Sequence, residues 1–365
     1  MPSVPPPATV LVTGVSGFSG IWIARALLES GYAVRGTVRS EAKAAHVATI
    51  FKEHGDSFKT VIVPDISKPD AFDSAIDDSI AAVVHVAGVA ELNSTNSSGA
   101  TKSLRRLLGR IFTARPRRPD IFGPNTDGVV GLLESTRKHG KNVRRFVYMS
   151  SAQAMLGHED IFHVYNENDW ADKDLALAKE KGGEAGGLAL YRASKVLAER
   201  AIVDFVEKHK SEIGWDATRI LPAWIFGPVI HDWKTVEDLN LSSKIIFQQL
   251  TTPREDDKVN DYASEFVDVR DVADAFVAAL KVEEAGGKRL LLDAGAYTYQ
   301  NLYNAVHETA PGLEGVVRGN PNAPPFSFPG AFVDSSSTVK VLQLKPFRSL
   351  GECAVDTYKS IKAKL

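Results

Sequence analysis

Along the first two thirds of the chain, short apolar runs rich in Val and Ile alternate with longer stretches whose apolar residues recur at helical spacing. The runs at 9–13, 33–38, 59–63, 82–86, 144–150 and 216–221 are continuous enough to be strands buried on both faces. Between them, 18–30, 41–54, 125–139 and 191–209 carry the helical pattern. Strand–helix alternation of this kind predicts parallel pairing with helices on both faces of one sheet. The expected fold class is therefore α/β: a doubly wound, Rossmann-type parallel sheet whose ligands sit at the carboxyl ends of the strands.

After Pro222 the rhythm becomes irregular, and Pro and Gly cluster around 311–330. We expect residues 1–8 to be a tail and 9–222 to be the main nucleotide-binding domain. Residues 223–365 should form mainly a smaller substrate-binding lobe, interleaved with the last elements of the sheet. One stretch departs from its surroundings. Residues 92–119 hold Lys102, Arg105, Arg106, Arg110, Arg115, Arg117 and Arg118 with no acidic residue, and read as a solvated basic insertion. No aromatics interleave with those charges as a nucleic-acid groove would require.

Composition narrows the classes little. The formal net charge of the 365 residues is −2, so there is no global attraction to nucleic acid or to an anionic membrane. The chain has one cysteine, Cys353, which cannot form an internal disulfide and suits a reducing compartment as a packing residue. No secretory pattern or membrane-length apolar run is present, and the expected location is cytoplasmic. The terminal Ala363-Lys364-Leu365 offers a weaker, peroxisomal alternative. No apolar stripe marks a subunit interface, and no cluster suggests a metal.

The chemistry begins after the first strand. Thr13-Gly14-Val15-Ser16-Gly17-Phe18-Ser19-Gly20 opens the first helix. Gly14 permits the tight turn, Gly17 lets the backbone approach a pyrophosphate, and Gly20 lets helix and strand pack closely. Ser16 and Phe18 lie at the helix N-terminus, whose open N–H groups and positive dipole end suit an anion. An NAD-binding chain typically ends its second strand in Asp or Glu to hold the ribose hydroxyls. Here that strand ends in Arg39, with Lys43 beyond it. A planar guanidinium suits the 2′-phosphate of NADP, so the expected cofactor is NADPH/NADP. Asp65 and Ile66 after the third strand would lie near adenine, and Ala87 and Gly88 after the fourth would let the cofactor pass.

Tyr191 and Lys195 stand one helical turn apart on one face. Carbonyl reduction needs a proton donor at the developing alkoxide, and a tyrosine serves if a nearby ammonium favours its phenolate. Ser150 and Ser151 end the fifth strand, where a hydroxyl can hold the substrate oxygen. Asn125 is either structural or the anchor of a water. Met155, Trp170, Trp224, Phe226 and Trp233 favour an apolar or aromatic carbonyl substrate, unless they are core residues. The glycine-dense 181–187 precedes Tyr191 as a lid or a loose loop.

Together these residues resemble the extended short-chain dehydrogenase/reductase family, most of all the branch of plant dihydroflavonol reductases and fungal methylglyoxal and aldehyde/ketone reductases. The resemblance rests on TGVSGFSG at 13–20, RGTVRS at 35–40, HVAG at 85–88, NTDGVVGLLES at 125–135, FVYMSSA at 146–152 and YRASKVLAE at 191–199. RILPAWIFGP at 219–228, FVDVRDVADA at 266–275 and DSSSTVKVLQL at 334–344 continue it to nearly the whole chain. The family's connection between His85 and Asn125 is usually much shorter, and 92–119 accounts for the excess.

The resemblance implies Ser151 rather than Ser150 in catalysis, Arg39 on the NADP phosphate, and Pro222 and Ile225 on the nicotinamide side. It also implies NADPH-dependent reduction of a small aldehyde or ketone. Two other activities share the fold: a sugar-nucleotide epimerase or dehydratase holding NAD, disfavoured by Arg39, and a non-enzymatic NADP sensor, disfavoured by the intact Tyr/Lys pair.

Overall fold

The structure, a computed structural model, describes residues 3–88, 122–157, 163–255, 258–260, 263–323 and 333–365; the basic stretch 92–119 lies outside them. Six of the strands follow the sequence pattern closely: β1 Thr9–Thr13, β2 Ala33–Val38, β3 Phe58–Ile62, β4 Ile80–His85, β5 Arg145–Met149 and β6 Asp216–Pro222. The helices between them are α1 Phe18–Glu29, α2 Glu41–Ile50, α3 Gly128–His139, α4 Asp172–Lys181 and α5 Gly187–Lys208. A seventh strand, β9 Arg289–Leu292, comes from the C-terminal half and completes one parallel sheet in the order β3-β2-β1-β4-β5-β6-β9. The chain reverses direction of travel between β1 and β4, the switch point at which doubly wound sheets place their ligands.

Alternation along the strands divides the core into two layers. Val10, Val12, Ala82, Val84, Val147 and Ile220 face α1 and α7 Val269–Lys281, packing on Ile21, Ile23, Val272 and Phe276. Leu11, Val83, Phe146 and Tyr148 face the other way, onto Leu132 and Leu133 of α3 and Ala198 and Ile202 of α5. Burial on both faces is why the central strands β1 and β4 read as near-continuous apolar runs, while β2, β3 and β6 carry Arg35, Lys59 and Arg219. Tightness is visible at Gly36, where an added Cβ would come within 2.5 and 2.8 Å of the two methyls of the fully buried Val15. Valine is stiff at χ1 and cannot swing aside. Gly36→Ala should therefore cost about 1–3 kcal/mol of overpacking strain, seen as a lower urea midpoint at unchanged slope.

The second lobe has its own small sheet, β10-β8-β7, from β7 Trp224–Phe226, β8 Ala263–Asp268 and β10 Gly295–Thr298. Its core gathers Phe226, Trp233, Phe266 and Tyr297 with Cys353 of α10 Leu350–Lys362. Cys353 is fully buried and burial pushes its thiol up, as expected for a packing residue. The tail before β1 is docked, with Val4 fully buried and its carbonyl accepting from the Tyr32 hydroxyl at 2.7 Å. The glycine-dense segment folds as a helical turn at Gly182–Ala185, entered and left through positive-φ glycines, Gly182 at 55° and Gly186 at 85°. No helix among the described residues is long and apolar enough to cross a membrane.

Candidate functional site

The turn after β1 needs two of its three glycines, Gly14 and Gly20. Gly14 has φ 71°, the left-handed region an L side chain avoids, and a Cβ there would also crowd Ala87 at 3.1–3.2 Å. A Cβ on Gly20 would fall 2.2 Å from the Gly14 carbonyl oxygen. α1 starts at Gly17 with no side-chain cap and no acidic residue in its first turn. Its N–H groups and positive dipole end are thus left for an outside anion. Ser16 lies half-buried on the turn and Phe18 is buried under it, its ring 5.8 Å from His231.

The neighbouring strand ends supply the rest of the groove. Arg39 is exposed at the end of β2. Lys43, in the first turn of α2, pairs with Asp232 of the second lobe at 3.2 Å. Asp65 lies exposed after β3, holding the Ser67 amide and hydroxyl, and Ile66 packs against α3 at Gly128. The Thr13 hydroxyl accepts from the Val86 and Ala87 amides at 3.0 Å and lies 2.7 Å from Nδ1 of His85. With both acceptor sites used, that hydroxyl donates to His85. This clamp fixes the backbone at Ala87 and Gly88. Burial first, and Lys195 second, push His85 down to about 3, so it stays neutral. The cradle shape and the cations around it fit a dinucleotide with a phosphate near Arg39. Gly88 also has little room: a Cβ on it would meet Oδ1 of Asn125 at 2.7 Å.

Asn125 sits in a π-helical turn, Gly123–Asp127, ahead of α3, and its amide donates to the Ser194 hydroxyl at 3.3 Å. Ser194 belongs to α5, the helix that also carries Tyr191 and Lys195. The two serines after β5 separate cleanly. Ser150 turns into the core and donates to Glu199 at 2.6 Å. Ser151 stays half-buried and is hydrogen-bonded to the Tyr191 phenol. Lys195 is buried, with its Nζ donating to the Met149 carbonyl at 3.2 Å and the Tyr148 hydroxyl at 3.3 Å. It lies 6.0 Å from the centre of the Tyr191 ring.

The charge balance differs from the sequence expectation in one respect. Tyr191 was expected to titrate low beside an ammonium. Burial instead raises its phenol above the ordinary value, with the Ser151 bond only partly opposing it. Burial also brings Lys195 down to about 8, against the pull of Glu199. Lys195 is thus neutral by the pH at which the phenol would ionise, which is why it does not lower it. Tyr191 holds its proton through the neutral range.

Pro222 ends β6, buried, and Ile225 lies half-buried on β7 between the two lobes' cores. Of the five large apolar candidates, Phe226 and Trp233 are core residues of the second lobe. Met155 is buried in the cluster that Tyr191 joins, and Trp224 is half-buried. Trp170 is sandwiched by cations, with Arg289 at 3.9 Å and Arg200 at 5.0 Å from its ring. The sequence reading missed Glu199, Arg289 and Tyr148. Only Glu199 carried a signal, its place one turn beyond Lys195.

Comparison with known proteins follows the same outline. The sequence pattern of the NAD dependent epimerase/dehydratase family matches residues 10–109 and 113–292. The NADPH-dependent methylglyoxal reductase of Saccharomyces cerevisiae is 29% identical over 362 residues, 97% of this chain and 98% of that protein. The ketoreductase azaE of Aspergillus niger is 31% identical over 359 residues, 96% and 97% of the two chains. The crystal structure of the yeast methylglyoxal/isovaleraldehyde reductase complexed with NADPH gives a TM-score of 0.79 at 28% identity, covering 98% of this chain and 100% of that one.

Proposed function

The chain belongs to the NAD dependent epimerase/dehydratase family, and from that premise we propose that it is an NADPH-dependent reductase converting an aldehyde or ketone to an alcohol. The observation that carries this reading is the meeting of Ser151, Tyr191 and Lys195 at the carboxyl edge of the sheet, beside a glycine cradle and a strand-two arginine. Its relatives named for NADPH-dependent methylglyoxal reduction and ketone reduction support the same chemistry.

Gly14, Ser16, Gly17, Phe18 and Gly20 would hold the pyrophosphate side, Arg39 and Lys43 the 2′-phosphate, and Asp65 and Ile66 the adenine. Ala87, Gly88, Lys195, Pro222 and Ile225 would hold the nicotinamide half. When bound, NADPH supplies the hydride. Ser151 orients the substrate oxygen by hydrogen bonding. Tyr191, still protonated at neutral pH, donates its Oη proton to that oxygen as charge develops on it. The Lys195 ammonium offsets part of the cost of the buried phenolate left behind. A single buried cysteine suits work in a reducing compartment, and we place the enzyme in the cytoplasm.

The direct test is loss of NADPH absorbance with a panel of aldehydes, ketones and diketones. Consumption without a sugar nucleotide is expected. A purified protein carrying non-exchanging NAD, or one that binds NADPH tightly yet consumes none with any carbonyl, would overturn the proposal. The cofactor assignment has its own test. A charge-assisted guanidinium–phosphate contact contributes about 1.5–3 kcal/mol. Arg39→Ala should therefore raise KM for NADPH by about 10- to 100-fold and leave KM for NADH nearly unchanged. Equal changes for the two cofactors would remove Arg39 from the phosphate site.

A further inference from the structure

Buried beneath the catalytic pair is a second charged layer. Tyr191, Lys195 and Glu199 succeed one another at four-residue intervals on α5, and so share one face of the helix. Glu199 is completely buried. Its Oε1 accepts from Ser150 at 2.6 Å and its Oε2 from Nε of Arg289 at 2.7 Å. Arg289, at the start of β9, is itself 8% exposed and donates onward to the Glu167 and Asp169 carbonyls while lying on Trp170. Ser150 is the residue immediately before Ser151, and its own amide bonds the Ile220 carbonyl of β6 at 2.8 Å.

A buried ion pair is a poor source of stability, because desolvation of both partners offsets their attraction. An apolar pair would hold α5 to the sheet as well. The carboxylate is, however, placed where its charge and one of its oxygens bear on the reacting groups, while Arg289 holds the other. One oxygen fixes the strand end from which Ser151 projects. The charge lies one turn from an ammonium that is almost fully withdrawn from water, at 7% exposure. We propose that Glu199, held by Arg289, is a positioning residue for the reduction: it pins Ser151 through Ser150 and supplies the negative charge that keeps Lys195 an ammonium at working pH. This rests on the reductase reading of the Ser151–Tyr191–Lys195 site and adds a residue to it.

Among the described residues, the groups facing this layer are few and identifiable. Lys195 meets Tyr191 and Glu199 on its own helix, Tyr148 on β5 and His85 on β4. Glu199 meets Ser150, Arg289 and the charge of Arg219 on β6. Glu199 is the single anion among them, since Tyr148 and Tyr191 are held protonated and His85 neutral. Among the described residues, removing its charge leaves Lys195 facing only the neutral Tyr148, Tyr191 and His85.

The test is Glu199→Gln, read as the pH profile of kcat/KM for a carbonyl substrate at saturating NADPH. The alkaline limb of the parent should lie near the Lys195 value of about 8. Loss of a neighbouring charge typically moves such a group by about one unit or more. The limb should shift down by at least about one unit, so activity falls about five-fold at pH 8 and little at pH 6. Glu199→Asp, which keeps the charge, should restore the limb even if it lowers Tm.

Should Glu199→Gln alone fail to fold through its unpaired Arg289, the paired variant Glu199→Gln/Arg289→Gln removes both charges together and answers the same question. The Lys195 Nζ titration, followed by NMR of 15N-lysine-labelled protein and assigned against Lys195→Met, gives the answer without turnover. An unmoved limb together with an unmoved Lys195 titration makes Glu199 merely structural. A parent that reduces no carbonyl sinks the reductase reading, while the NMR titration still decides the role of Glu199.

Discussion

Tyr191→Phe is expected to lower kcat/KM for carbonyl reduction about a thousand-fold, within the roughly 10²–10⁴ range of a lost general acid. NADPH affinity measured by fluorescence titration should stay within about two- to three-fold, since the phosphate-side residues are untouched. Among the described residues, the Tyr191 phenol is the proton-bearing acid that meets both Ser151 and Lys195; the other phenol on Lys195, Tyr148, is bound into the sheet side of that ammonium. Burial strengthens its hold on that proton, which keeps the donor loaded at neutral pH. The substituted ring keeps the packing of the Met155–Trp170 cluster that Tyr191 joins, so the fold should be unaffected. Ser151 alone cannot replace it, because an aliphatic hydroxyl is a far weaker acid than a phenol. Retained turnover in the folded variant would remove Tyr191 as proton donor and leave the reaction to another group.

The legible parts of this protein are those where one local constraint decides one residue. Six parallel strands announced themselves because burial favours short runs rich in Val, Ile and Leu, with only isolated polar residues such as Arg35, Lys59 and Arg219 between them. The turn after β1 did so because backbone conformation at Gly14 and helix packing at Gly20 leave no room for a Cβ. Arg39 was singled out because a strand-two acid was missing, and the structure leaves it exposed at the strand end. What stayed hidden depends on contacts far apart in sequence. β9 is only four residues long and gains its identity from pairing with β6, some seventy positions away in register. Which serine of the pair faces the site depended on family resemblance, because both are equally suitable in isolation; the structure separates them through Glu199. Phe226 and Trp233 belong to a second core that no periodicity announced. The direction of the Tyr191 shift could not be read either, since it turns on how completely α5 is covered.

Lys195→Met carries the other large expectation, and it has two opposite signs. Activity should fall by about a hundred-fold or more, the scale of losing an electrostatic donor at a developing charge. Folded stability near neutrality should rise. The ordinary lysine value is 10.5 and the folded one about 8. The folded chain therefore releases a proton that the unfolded chain keeps between those two values. Stability rises with pH wherever the unfolded state binds more protons. The burial penalty is thus fully present below about pH 8, relaxes as pH climbs, and is gone above about 10.5. A shift of this size corresponds to about 3 kcal/mol. Two hydrogen bonds, to Met149 and Tyr148, return about 1 kcal/mol each, so the net gain on replacing the ammonium should be about 1 kcal/mol at pH 7. Urea unfolding of the parent and the variant at a series of pH values checks both halves. The midpoints should differ in favour of the variant at pH 7, and the difference should reverse towards pH 10.5 as the penalty goes and the lost hydrogen bonds remain. A variant less stable at every pH would mean that Lys195 is a structural cation. A more stable but inactive one is what a buried charge kept for chemistry predicts.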